Sequence, residues 1–157
     1  MSFFPRRILL AIDGSEEAAL ATEAATELSK NTASEVHLTY VLPTPERLAY
    51  PHHYSREVRE EVSEQAKKDA GEFLDKHAEQ IRSGGGSVTE SHVRTGDPDH
   101  EIVSLSEDLG VGLIVIGSRG LTGMRRALMG STSDSVVRHA HCPVMVVRKE
   151  RQQVEST

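Results

Sequence analysis

Five short apolar runs alternate along this chain with segments whose apolar residues recur every three or four positions. The apolar runs predict strands at 6–12, 36–42, 87–94, 112–117 and 144–148. The segments between them predict helices at 15–30, 55–82, 98–109 and 131–139. Strict alternation of strands and helices is typical of a parallel sheet covered by helices on both faces. We therefore predict an α/β fold, a five-stranded parallel sheet with Rossmann-like winding.

We expect the strand order 3-2-1-4-5. This order places the carboxyl ends of strands one and four side by side, where the direction of winding reverses and such sheets bind ligands. Asp13 directly follows the first strand and Gly117 ends the fourth. The two turns that contain these residues should therefore face one crevice.

The fourth strand is followed by two groups of glycines and hydroxyl-bearing residues. Gly117-Ser118-Arg119-Gly120 is separated by nine residues from Gly130-Ser131-Thr132-Ser133. Glycine lets a backbone approach a ligand closely, and a helix that begins at Ser131 offers unpaired N–H groups and a positive dipole end. These features predict a phosphate site. Ser131 and Asp134 also form a capping-box-like pair, which helix capping alone explains and which is compatible with binding.

The spacing Gly117-x2-Gly120-x9-Gly130-Ser131 resembles the ATP-binding signature of the universal stress protein family at every position. Residues 7–15 resemble that family's first strand and acidic turn, and residues 139–147 resemble its closing helix end and last strand. The resemblance implies a single nucleotide-binding domain over residues 1–148. Residues 149–157 are expected to form a polar tail.

The same resemblance implies ATP, with Mg²⁺, as the cofactor. Asp13 would contact the ribose hydroxyls or a phosphate-bound magnesium ion, although an Asp-Gly pair is also an ordinary turn. Val41 corresponds to the adenine-contacting position, and on the residues alone it is a buried strand valine. Arg119 would pair with phosphate or point to solvent. The expected nucleotide-binding residues are Ala11, Ile12, Asp13, Val41, Gly117, Arg119, Gly120, Gly130, Ser131, Thr132 and Ser133.

The fifth strand is expected to be an edge strand, and its residues Val144, Met145, Val146 and Val147 are apolar on both faces. An exposed apolar edge promotes pairing with another chain. We expect a two-fold homodimer in which strand five pairs with its copy, as the resemblance also implies. The alternative is a strand whose two faces are simply covered by helices of the same chain.

The charge of the chain indicates which classes of partner it could bind, and its cysteine content indicates its cellular compartment. The formal net charge is −6, which argues against a general nucleic-acid or membrane binder. The segment from Gly117 to Arg148, however, contains five arginines and only one acidic residue. This local excess of positive charge favours a small anionic ligand. The single cysteine, Cys142, suits a reducing compartment, and residues 8–12 are too short an apolar run for a signal or a membrane span. We therefore expect a cytoplasmic protein.

Other site chemistries lack support. The chain has neither a P-loop sequence nor a G-x-G-x-x-G after its first strand. The histidine clusters at 52–53 and 139–142 have too few ligands for zinc, so we expect no metal site built from the protein alone. The resulting hypothesis is an ATP-binding homodimeric sensor or regulator of the stress response. The alternatives are a slow ATP-hydrolysing or nucleotidyl-transferring enzyme on the same scaffold, and a nucleotide-free interaction module, against which the intact signature argues.

Overall fold

The computed structural model describes residues 4–44, 55–118 and 130–149. Five strands and four helices alternate in the order that the sequence predicts. The strands are β1 (Arg7–Ala11), β2 (Glu35–Leu42), β3 (Ser87–Thr95), β4 (Leu113–Gly117) and β5 (Val144–Val147). The helices are α1 (Glu16–Thr32), α2 (Arg56–Ser83), α3 (Pro98–Leu109) and α4 (Ser131–His139). Each boundary lies within two residues of its predicted position.

All five strands are parallel and lie in the order β3-β2-β1-β4-β5, which confirms the predicted fold class and topology. The register joins Ala11 of β1 to Thr39 of β2 on one side and to Ile116 of β4 on the other. Gly117 of β4 lies opposite Val147 of β5. The carboxyl ends of the three inner strands and of β5 therefore meet at one edge of the sheet, where the winding reverses between β1 and β4.

Alternate residues of the inner strands belong to two hydrophobic cores, one on each face of the sheet. The first core joins Ile8 and Leu10 of β1, and Ile12 just after it, to α1 and α2. The second joins Leu9 and Ala11 to α3 and α4. Strands buried on both faces explain the near-continuous apolar runs in the sequence, which a half-exposed strand would not show.

The helix ends follow local signals. Ser15 caps α1 by accepting a hydrogen bond from the N–H of Ala18 at 3.1 Å. Asp97 occupies the N-cap position of α3 with Pro98 first in the helix, and Gly110 ends it in the left-handed region with φ +63°, as predicted. Helix α1 continues two residues beyond its predicted end, and Ala33 follows it in the left-handed region with φ 57°. Glycine is the usual residue in that conformation, so no residue in the sequence signals this helix end. Over the described ranges, no helix is long and apolar enough to cross a membrane.

Candidate functional site

The turn after β1 is built around the Asp13 carboxylate. Asp13 Oδ1 accepts a hydrogen bond from the N–H of Ser15 at 2.9 Å, and Gly14 between them has φ +84°, a region that favours glycine. This arrangement accounts for the Asp-Gly pair as a turn and fixes the direction of the side chain. Asp13 also lies close enough to Tyr40 for its negative charge to raise the pKa of that phenol, after the larger effect of burial. The turn thus presents an oriented carboxylate at the carboxyl edge of the sheet.

Ser118, directly after β4, holds the two ends of the glycine-rich loop together. Its carbonyl accepts hydrogen bonds from the N–H of Gly130 and, at 2.8 Å, from the Ser133 hydroxyl. Its own N–H donates to the carbonyl of Val147 at 2.8 Å. Ser118 is 3% exposed and Ser133 is 3% exposed, so both contacts are shielded from water. Consequently these hydrogen bonds by themselves fix the start of α4 against the end of β4.

The N-terminus of α4 differs from the capping box that the sequence suggests. Gly130, not Ser131, is the N-cap residue, and its extended backbone makes no side-chain cap. Asp134 lies one position too far along for the box and instead pairs with Arg138 at 3.1 Å. The first intrahelical hydrogen bond runs from the N–H of Asp134 to Gly130, so the N–H groups of Ser131, Thr132 and Ser133 have no acceptor within the helix. Three such donors at the positive end of a helix dipole suit an anion.

The hydroxyls at this terminus have different roles. The Ser133 hydroxyl is turned inward, to Ser118 and to the carbonyl of Gly130, so it acts as a structural clamp. Its expected part as a ligand donor therefore reduces to its backbone N–H. Ser131 is exposed and Thr132 is half-buried, and their hydroxyls remain candidates for a ligand.

Gly117 has a packing reason that the sequence did not reveal. A Cβ at this position would lie 2.9 Å from the backbone carbon and Cβ of Glu17 and 3.0 Å from the N of Ala18. The first turn of α1 thus crosses β4 so closely that only a hydrogen fits. Gly117 therefore sits where α1 packs onto the sheet, and its lack of a side chain is explained without a ligand.

The remaining predicted residues divide between the two faces of the sheet. Ala11 and the half-buried Val41 lie on the face of the second core, the side that also carries Val136 of α4. Ile12 is 4% exposed and its side chain belongs to the first core. Its N–H donates to the carbonyl of Thr39 at 3.0 Å, so neither its side chain nor its N–H is available at the crevice. Arg119 and Gly120 lie outside the described residues, as do residues 45–54 and the tail from 150 onward.

An ion pair joins the residue after β5 to the first turn of α1 at this edge of the sheet. Lys149 follows β5, and its Nζ lies 2.9 Å from Oε1 of Glu16 in the first turn of α1. The hydrogen bond to Glu16 raises the pKa of the Lys149 ammonium. The first residue of the predicted tail is therefore held against the domain in an exposed ion pair.

Strand β5 is an edge strand, as predicted, and its side chains are shared between the two cores. Met145 and Val147 pack against the first core, and Val144 and Val146 pack against the second. All four are only half-buried. The half-buried Cys142, just before the strand, also packs against the second core, and burial raises the pKa of its thiol, which keeps it a small uncharged side chain.

The fold and this edge together define a class: a doubly wound, parallel α/β domain with an uncapped helix N-terminus at its switch point. Residues 5–148 match the sequence model of the universal stress protein family, and the chain belongs to that family. It is similar to universal stress protein YxiE of Bacillus subtilis, with 35% identity over 150 residues that cover 90% of this chain and 98% of that protein.

Solved structures give the same assignment of fold. The structure of hypothetical protein MJ0577 is similar, with a TM-score of 0.80, 27% identity, and coverage of 93% of this chain and 97% of the other. A universal stress protein from Archaeoglobus fulgidus in complex with dAMP has a TM-score of 0.59 and 21% identity, covering 94% and 99%. Another family member, in complex with cAMP, has a TM-score of 0.67 and 17% identity, covering 92% and 98%.

Proposed function

We propose that this protein binds an adenine nucleotide, ATP with Mg²⁺, at the carboxyl edge of β1 and β4, and acts as a homodimeric regulator in the stress response. The observation that carries the proposal is the start of α4. Three backbone N–H groups without a helical acceptor are held in place by Ser118, at the switch point of a parallel sheet. This is the arrangement by which α/β proteins bind phosphates.

Two further features support the adenine nucleotide. The Asp13 carboxylate is oriented at the same edge by its bond to Ser15, and it suits ribose hydroxyls or a phosphate-bound magnesium ion. Ala11 and Val41 lie on the face that carries α4 and provide apolar surface for a base. Members of the same fold have been solved with cAMP and with dAMP. Gly120 and Arg119 remain part of the proposal through the signature alone.

The regulatory part of the proposal follows from the absence of any P-loop lysine in the sequence and from family membership. A nucleotide that favours one conformation shifts the population by its differential affinity for the two states. With its single, half-buried cysteine the chain suits the cytoplasm, where we place it.

Equilibrium dialysis of the purified chain with labelled ATP and Mg²⁺ tests the binding. We expect one nucleotide per chain, displaced by unlabelled ATP, and no retention at millimolar ATP would contradict the proposal. Chromatography of the nucleotide over time separates the regulator from the enzyme. Slow or no turnover is expected, whereas rapid release of AMP or pyrophosphate would favour the nucleotidyl-transferring alternative.

The proposed dimer would form through β5. The N–H of Ile114 donates to the carbonyl of Pro143, just before β5, and that of Ser118 donates to the carbonyl of Val147, so these two carbonyls point to β4. Because backbone groups alternate in direction along a strand, Val144 and Val146 direct their N–H and C=O groups to the free edge. That edge offers unpaired donors and acceptors to a second copy.

A further inference from the structure

Three potential metal ligands converge on the edge strand β3 and on its neighbour β2, away from the crevice. Nδ1 of His37 lies 3.4 Å from Nε2 of His92, and the same Nε2 lies 3.5 Å from Oε2 of Glu90. The three ligating atoms all lie within 4.8 Å of one another. Among the described residues, this is the one group of three or more such side chains that could hold an ion.

The register of β2 and β3 creates the group. A bulge between Val36 and His37 shifts the pairing so that His37 lies opposite Glu90. His92 follows two residues after Glu90 and therefore projects from the same face of the sheet. The two histidines are 55 positions apart in sequence. Inspection of neighbouring histidines could not find them, although Glu90-x-His92 in a strand places two ligands on one face.

The burial of the three side chains is graded. The residue His37 is 5% exposed, while the side chains of His92 and Glu90 are 20% and 63% exposed. The Thr39 hydroxyl donates to the carbonyl of His92 at 3.0 Å, and the two imidazoles stack with centroids 5.6 Å apart. The group thus has a fixed inner ligand and an outer side open to solvent, where water could complete a coordination shell.

Burial and the neighbouring charges together lower the pKa of the His37 imidazole. Burial, and next the neighbouring His92, lower the pKa of its imidazole, against a smaller opposite effect of Glu90. Arg7 also lowers the pKa and Glu35 raises it, and these two smaller effects oppose each other. A lowered pKa favours the neutral imidazole, which has the lone pair that a metal requires.

We propose that His37, Glu90 and His92 bind one divalent transition-metal ion, with Zn²⁺ the best match. Zinc binds histidine nitrogen and carboxylate oxygen at about 2.0–2.2 Å, and two histidines with one glutamate and a water are an established tetrahedral set. Ligands at that distance from a tetrahedral centre are about 3.3–3.6 Å apart, which agrees with the separations of 3.4 Å and 3.5 Å. Mg²⁺ and Ca²⁺ prefer oxygen and fit less well. The site requires no nucleotide, so its failure would leave the proposed function untouched.

Titration of the chelator-treated, nucleotide-free full chain with Zn²⁺ against a chromophoric competitor tests the proposal. We expect one ion per chain at micromolar zinc or below. Co²⁺ in the same protein should give the visible absorption of a tetrahedral complex. Absence of zinc binding at these concentrations, or an octahedral Co²⁺ spectrum, would overturn the assignment.

Substitutions locate the ion. His92→Gln and Glu90→Gln change the two less buried ligands and should leave the fold intact, as thermal unfolding without metal would verify. Removal of a residue that only hydrogen-bonds to a metal ligand costs about 10–100-fold in metal affinity. Because His92 and Glu90 are themselves proposed ligands, we expect each variant to lose at least that much affinity for zinc.

Two control variants keep the test specific. His100→Gln removes an exposed histidine of α3, and the double variant His52→Gln/His53→Gln removes the pair adjacent in sequence. Both controls should bind zinc as the unchanged chain does. If the double variant loses zinc while His92→Gln retains it, the ion lies elsewhere and the proposal is wrong.

Discussion

At the scale of single residues, the two glycines that flank the loop have different physical reasons to be glycine. Gly117 lies under the first turn of α1, where a Cβ would come 2.9 Å from Glu17. Gly130 has φ −70° and ψ 162°, an extended conformation open to any residue. The backbone conformation therefore does not require glycine at 130, and the proposed close approach of a ligand would give a reason for it.

Gly117→Ala should destabilise the protein because the methyl group would force α1 away from β4. Overpacking of this kind costs about 1–3 kcal/mol. Gly71→Ala is the matched control, since it lies inside α2 with nothing within 4 Å of the new Cβ. There the substitution should stabilise by about 0.5–1 kcal/mol. Urea unfolding would measure both, and equal stabilities of the two variants would contradict the packing explanation.

Gly130→Val should weaken ATP binding and leave the fold intact. A branched side chain suits the extended backbone at 130, and under the proposed function it would intrude where the backbone approaches the phosphate. We expect a loss of affinity of at least about tenfold, equivalent to ~1.4 kcal/mol, in equilibrium dialysis. Gly71→Val serves as the control because it lies on α2, in open space. Unchanged affinity in a folded Gly130→Val protein would remove this terminus from the site.

At the scale of elements, α4 is positioned by α3 as well as by β4. The Ser135 hydroxyl of α4 donates to Oδ2 of Asp99 in the first turn of α3 at 2.7 Å. This hydrogen bond is the main cause that lowers the pKa of Asp99 below its usual 3.8. The side-chain contact therefore stabilises the ionised carboxylate and links the candidate phosphate-binding terminus to the neighbouring helix.

This link predicts a pH-dependent stability. A carboxyl whose pKa is lowered by folding contributes stability above its unfolded value, and the contribution is lost as the pH falls through the folded value. Ser135→Ala should therefore cost about 0.5–1 kcal/mol at neutral pH, a small value because the pair is only partly buried. The part of this cost that comes from the ionised Asp99 carboxylate should vanish once the pH is below the folded pKa of Asp99.

Urea unfolding of both chains over the acid range measures how this difference changes with pH, and a change in helix propensity adds only a constant to it. In an Asp99→Asn background, Ser135→Ala should show no such pH dependence. A constant difference between the two chains through the acid range would mean that the hydrogen bond does not stabilise the carboxylate.

At the scale of the whole molecule, the sheet has two edges, and β5 is the more apolar. Its four side chains are half-buried between the two cores. By contrast, β3 carries polar and charged residues along much of its length, and polar or charged side chains discourage pairing with another chain. The asymmetry favours β5 as the edge at which two copies meet.

Val146→Pro tests this edge. Proline removes the N–H that Val146 directs outward, and it is tolerated in an edge strand where the lost donor does not face the sheet. We expect sedimentation equilibrium to show a dimer for the unchanged chain and a monomer for Val146→Pro, with circular dichroism confirming the fold. Val137→Thr, which changes a valine of α4 that is 46% exposed, should stay dimeric. A monomeric unchanged chain, or a dimeric Val146→Pro protein, would contradict the β5 dimer.

The sequence by itself determined the elements of this protein, their order in the sheet and the two turns at its carboxyl edge. The strand order followed from the alternation of strands and helices and from the place at which such sheets bind ligands. The elements and the turns depend on local signals: apolar periodicity, Asp97-Pro98 before a helix, Gly110 after it, and glycines beside strand ends. Such signals act between neighbours in the chain, so they are visible without the fold.

Only the tertiary structure decided what depends on distant contacts. The clamp of Ser118 on Gly130 and Ser133, the crossing of α1 over Gly117, and the meeting of His37 with His92 all join separate elements. The last depends on a one-residue shift of register between β2 and β3, which moves Glu90 opposite His37. A strand pair's register is set by packing across the sheet and by its bulges, and a one-residue change reverses which side chains share a face. That is the physical reason why the histidine pair was invisible until the strands were paired.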